Sequence, residues 1–71
     1  MERQEVQSSN LRSVGYDDKN SILEVEFLSS SVYRYFNVPE QIYQGLLAAD
    51  SHGKFFHEYI KKGGYRYEQV R

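Results

Sequence analysis

The 71-residue sequence predicts one small α+β domain: a small antiparallel β-sheet in the order β-β-β-α-α-β with two helices packed on one face. Three observations predict it. Ile22 to Leu28 alternates, with Leu23, Val25 and Phe27 on one side and Glu24 and Glu26 on the other, as in a half-buried strand. Ile42, Leu46 and Ala49, with Tyr43 and Leu47 beside them, recur at helical spacing behind Pro39. After Gly63-Gly64 closes a second helical stretch, Tyr65 to Val70 alternates again and reads as a strand returning to the sheet.

Taken in order, Met1 to Asn10 is poor in apolar residues, so residues 1–7 read as a frayed arm or a weak edge strand. Leu11 to Tyr16 sets Leu11, Ser13 and Gly15 against Arg12, Val14 and Tyr16, a short strand that runs into the polar turn Asp17-Asp18-Lys19-Asn20. The strand from Ile22 follows. Ser29-Ser30-Ser31 then reverses the chain into the β-branched and aromatic run from Val32 to Val38. The register of this hairpin has two solutions. A two-residue loop places Tyr33 and Tyr35 beside Glu26 and Glu24 on the polar face, whereas a three-residue loop places them with Leu23, Val25 and Phe27, because a slip of one residue flips every side chain. The apolar side chains of Val32, Phe36 and Val38 tip the choice toward exposed tyrosines.

Pro39 suits the first turn of a helix, where its missing N–H has no intrahelical partner, and Asn37 offers a capping oxygen. Asp50-Ser51 breaks that helix and opens the next, on which Phe55, Phe56, Tyr59 and Ile60 share a face and Lys61-Lys62 occupy the last turn, where cations complement the helix dipole.

Composition narrows the function classes. With no cysteine there is no thiolate metal site, disulfide frame or cysteine nucleophile, and the polar opening residues carry no apolar run that resembles a signal peptide, so a cytoplasmic protein that neither enters nor crosses a membrane is expected. Aromatic residues make up 15% of the chain, seven of them Tyr and four Phe, with no Trp, so much of the ring area carries a hydroxyl that needs a partner or water. The net charge of -1 conceals an asymmetry, since residues 1–50 carry a net -4 and residues 51–71 a net +3. A basic end of this kind suits an acidic partner.

Several groups of residues together resemble the KTSC domain family, a short module named for its occurrence at the carboxyl end of some lysyl-tRNA synthetases. They are Val6 with Ser8 and Ser9, Val14-Gly15-Tyr16-Asp17, Leu23-Glu24-Val25-Glu26-Phe27, Tyr33-Arg34-Tyr35, Val38-Pro39, and Ala49-Asp50-Ser51-His52-Gly53 with Phe55, Phe56 and Ile60. The resemblance runs from Val6 to Val70. One departure lies in the hairpin, where the family often has Gly and this chain has Ser30. What the resemblance implies about function is a suggestion of RNA binding, by association with a synthetase.

The residues themselves offer a compatible chemistry. Tyr33-Arg34-Tyr35 and Tyr65-Arg66-Tyr67 repeat one tripeptide on two expected strands, and rings on a sheet can stack on unpaired bases while arginine meets phosphate. The plainer account is that tyrosine is a good strand residue with half its ring in the core. Ser51-His52-Gly53-Lys54 opens a helix whose free N–H groups and ammonium suit a phosphate, but a helix cap explains it more simply. Lys61, Lys62, Arg66 and Arg71 form the most basic stretch. His52 and His57 stand five apart, a spacing that does not place two imidazoles on one metal. Glu24 and Glu26 read as solvated strand charge. The expectation is a non-enzymatic binding module without metal or cofactor, with RNA as partner through Tyr33, Arg34, Tyr35, Lys54, Lys61, Lys62, Arg66 and Tyr67; a protein partner, met by self-association or by docking on a larger enzyme, is the alternative.

Overall fold

The computed structural model describes residues 2–71. Five strands, β1 (Arg3–Glu5), β2 (Leu11–Asp17), β3 (Ile22–Phe27), β4 (Val32–Phe36) and β5 (Tyr67–Gln69), form one antiparallel sheet in sequence order. Between β4 and β5 lie α1 (Glu40–Ala48) and α2 (His52–Phe55), the latter continuing into a π turn (Phe56–Ile60) and a 3₁₀ turn (Lys61–Gly63). The α+β architecture is therefore as expected, with an edge strand added at the front: the opening segment is a strand on β2 over Arg3–Glu5, and Met1 lies outside the described residues.

The core lies between the sheet and the helices, built from Leu11, Val14, Leu23, Val25, Val38, Leu46, Phe56 and Ile60, all buried. Leu11 reaches it by an irregularity. In strict alternation Leu11 would share a side with Ser13 and Gly15, but Leu11 pairs with Phe27 while Ser13 pairs with Glu26, so Arg12 is the extra residue of a bulge that turns Leu11 onto the side of Val14.

The β3–β4 hairpin uses the three-residue loop Leu28-Ser29-Ser30. The Phe27 N–H donates to the Ser31 carbonyl at 2.9 Å, the Ser30 N–H donates to the Phe27 carbonyl at 2.9 Å, and Ser30 sits at a φ of +75°. A left-handed third residue is the usual way to close a loop of this length. Its consequence is the register Val25 opposite Tyr33 and Leu23 opposite Tyr35, which carries both tyrosines to the helix side. The expectation of exposed tyrosines is thereby corrected, and the apolar side chains that suggested it have other homes. Asn37 adopts a φ of +60°, so the chain turns and Val38 enters the core instead of continuing the side of Phe36. Val32 stays on the outer side and is buried where the backbone of Val70 and Arg71 bonds to it.

One helix cap differs from expectation and one is as expected. No side chain caps α1, so Asn37 does not serve that role, whereas Ser51 does cap α2, accepting the Lys54 N–H at 3.2 Å. His52 Nδ1 lies 2.7 Å from the Leu46 carbonyl and ties the end of α1 to the start of α2.

Candidate functional site

Strand alternation puts Tyr33 and Tyr35 on one side of β4, and the β4–β5 register sets Tyr67 opposite Tyr35. The helices cover the middle of the sheet, where Leu23 and Val25 are wholly buried and Tyr35 is 6% exposed, but not its β5 margin, where Tyr67 is 61% exposed. The three rings form a continuous panel, with centroids 6.5 Å apart for Tyr33 and Tyr35, 6.0 Å for Tyr33 and Tyr67 and 5.5 Å for Tyr35 and Tyr67. Phe27 and Phe56 adjoin it. Phe56 stands nearly perpendicular to both Phe27 and Tyr35 at about 5.5 Å, the edge-to-face geometry that aromatic quadrupoles favour.

The panel is one wall of an open cleft of about 630 Å³, bordered also by His57 and Lys61 from the helical arm and by Asn10, Ser29 and Ser31. A regular α-helix would set residues 56 and 61 about 140° apart. The π turn over Phe56–Ile60, with the Lys61 N–H donating to the Phe56 and His57 carbonyls, brings residues five apart to nearly the same side, so Phe56 and Lys61 both border the cleft. Burial, reinforced by Tyr33 and Tyr67, pushes the Tyr35 phenol up to about 12.

Of the eight residues singled out in the sequence, the structure brings together Tyr33, Tyr35, Lys61 and Tyr67. The others lie elsewhere. Arg34 is on the opposite side of the sheet, its Nε 2.8 Å from Glu24 Oε1. Arg66 is on that side too, with its guanidinium 4.7 Å from the centre of the Phe36 ring. Lys54 does not border the cleft but an adjoining shallow surface near the start of α2 that shares Asn10 and His57 with it, and Lys62 Nζ lies 3.6 Å from Glu58. The second tripeptide does not repeat the first, because β5 begins only at Tyr67 and Tyr65 packs against Gly63 and the core. Phe27, Phe56, His57, Asn10, Ser29 and Ser31 were not anticipated at the site. Phe27 was legible in the three-residue hairpin register, and His57 stands four residues before Lys61; Asn10 carried no local signal because a tertiary contact brings it there.

The opposite side of the sheet is ionic. Glu24 is 5% exposed and not the solvated charge expected of it: besides Arg34, it accepts from Arg3 Nη1 at 2.8 Å. Glu26 accepts from Ser13 Oγ at 2.8 Å and from Arg71 Nη2 at 2.8 Å. The Ser13 hydrogen bond, with Arg3, Arg71 and Arg12 nearby, holds the Glu26 carboxyl below its usual range against the opposing effect of desolvation. Among the described residues no group of three or more His, Cys, Asp or Glu is placed to hold a metal ion, and no helix is long and apolar enough to cross a membrane.

Comparison with known proteins agrees with this fold. The family model of the KTSC domain matches residues 7–67. An uncharacterized protein of Stutzerimonas stutzeri is 50% identical over 70 residues, 99% of each chain. A lysine–tRNA ligase of Trichormus variabilis is 39% identical over 64 residues, which are 90% of this chain and 11% of the ligase. A crystal structure of a KTSC domain protein from Yersinia pestis superposes with a TM-score of 0.92 at 38% identity, covering 99% of this chain and 97% of the other. Matched in sequence from residue 7 to 67 and in fold over almost its whole length, the chain belongs to the KTSC domain family.

Proposed function

We propose that this domain is a non-enzymatic binding module that holds single-stranded RNA, stacking unpaired bases on Tyr33 and Tyr67, which lie over the buried Tyr35, with Lys61 against the phosphate backbone. The observation that carries the reading is the cleft itself: a tyrosine ring 61% exposed, continuous with two more, beside an ammonium. Every base has a π face, so an aromatic wall beside a cation is the recurrent solution for unpaired nucleic acid. The likeness to a segment of a lysine–tRNA ligase is consistent with RNA as the partner.

The test is a titration with labelled single-stranded RNA and with tRNA at two salt concentrations. Binding should weaken as salt rises, and Lys61→Ala should lower the slope of log affinity against log salt by about 1. Tyr67→Ala should cost about tenfold or more in affinity, the loss of roughly 1–3 kcal/mol per stacked base. Arg34→Ala and Arg66→Ala, on the other side of the sheet, should leave the slope unchanged. Absence of binding at low salt defeats the reading. One observation favours a protein partner as the second reading: β5 is a fully exposed edge strand beside the cleft, open to pairing with an added strand. Binding to a protein that ignores salt and survives Lys61→Ala would select it.

A further inference from the structure

We infer that the cleft is a one-nucleotide pocket, accepting a single unpaired ribonucleotide of the RNA, base and phosphate together, instead of a groove that tracks several nucleotides. The inference rests on the RNA reading above and deepens it. Three features point to it. The first is extent: the molecule measures 27 × 24 × 22 Å, and the cleft, at about 630 Å³, has the capacity of a small-molecule site, about 300–1,000 Å³. The second is backing. Phe27 and Phe56 line the cleft with the tyrosines and meet edge to face at 5.4 Å, with Phe56 buried, so the aromatic wall backs onto the core.

The third feature is the chemistry of the border. A nucleotide presents a flat apolar face, a base edge with donors and acceptors, and an anion. The cleft offers the rings of Tyr33 and Tyr67, the side chains of Asn10, Ser29 and Ser31, and Lys61 with the His57 imidazole. The two hydroxyls stand as a pair, Ser29 Oγ 3.4 Å from Ser31 Oγ, a distance long enough that either can turn to a base edge at little cost. Hydroxyls and an amide both donate and accept, so they satisfy a base edge without demanding one base. A bare sugar phosphate uses only the cation, and a nucleoside only the wall, so the site should discriminate against both.

The experiment is an amide NMR titration of the whole chain with the four ribonucleoside 5′-monophosphates, with the matching nucleosides, with ribose 5-phosphate and, in parallel, with a short single-stranded RNA. The expected result is saturable shifts at Ser31, Tyr33, Lys61 and Tyr67 with the monophosphates and with the RNA, and at least tenfold weaker binding of ribose 5-phosphate. Lys61→Ala should abolish the preference for monophosphate over nucleoside, and Tyr67→Ala, at an exposed position that leaves the fold intact, should weaken both monophosphate and RNA about tenfold. RNA that shifts the cleft while no monophosphate does overturns the one-nucleotide pocket and leaves the RNA reading standing. Monophosphates that bind without RNA keep the pocket and remove the polymer, making the ligand a free nucleotide. Silence from both overturns both.

Discussion

Ser30 turns the β3–β4 hairpin at a φ of +75°, a region that costs a residue with a Cβ roughly 1–2 kcal/mol. Glycine has no such cost but loses more freedom on folding, an opposing effect of about 0.5–1 kcal/mol. The first is larger, so Ser30→Gly should stabilise the domain by about 1 kcal/mol, measured as a rise in the denaturant midpoint at unchanged slope. Asn37, at +60°, is the internal comparison: asparagine tolerates the left-handed region, so Asn37→Gly should gain less. A loss of stability at Ser30→Gly would show that its hydroxyl contributes to the turn. The serine at this left-handed position is thus a local strain within the hairpin.

The helical elements show why similar glycines are not equivalent. A Cβ on Gly45 would fall 2.6 Å from Cζ of Phe55, whose ring packs against the core and lies 4.6 Å from that of Tyr59, whereas a Cβ on Gly53 would meet only Asn10 Cβ at 3.7 Å and Ser8 Oγ at 3.8 Å. It is Gly45, not Gly53, that lets the two helices approach. Replacing an exposed helical glycine by alanine gains up to about 1 kcal/mol in propensity, but overpacking costs about 1–3 kcal/mol. Gly53→Ala should therefore be neutral to stabilising and Gly45→Ala destabilising by about 1 kcal/mol, read from parallel thermal or denaturant melts. Equal effects would show that the Phe55 ring moves aside freely. The same contact bears on the cleft, since Phe55 immediately precedes the π turn that presents Phe56, His57 and Lys61.

At the scale of the molecule, the side of the sheet away from the cleft holds the chain together end to end. β3 is central, and its two carboxylates take Arg3 from β1, Ser13 from β2, Arg34 from β4 and Arg71 beyond β5. Removing one partner of the buried Glu24 set leaves charge without compensation, whereas the more accessible Glu26 offers a cleaner pH test. Its folded-state pKa is depressed, so its contribution to stability is present above the ordinary glutamate value of 4.5 and is lost as pH falls from there through the folded value. The stability gap between wild type and Glu26→Gln should accordingly be widest at neutral pH and narrow on acidification, followed by denaturant melts across the acid range. A gap constant with pH would mean that the carboxylate charge contributes nothing. This face also explains the division of the cationic residues: Arg34 is held by Glu24 and Arg66 lies over Phe36, which leaves Lys61 as the predicted cation bordering the tyrosine cleft.

The sequence by itself determined the α+β class, the alternation of β3, both helical segments and their Gly64 stop, since these follow from short-range periodicity and from residues with restricted or permissive backbones. It also showed that tyrosine, lysine and arginine would be the chemistry on offer. Only the tertiary structure decided which of them meet. Side-chain direction on a strand has a period of two, so the sign of Tyr33 and Tyr35 depended on whether Ser30 would accept a left-handed conformation, and that of Leu11 on a bulge at Arg12. The burial of Glu24 likewise depended on Arg3 and Arg34 arriving from strands on either side, 21 and 10 residues away. Such choices are made by long-range packing of the whole sheet, which outweighs local costs such as that of the left-handed Ser30.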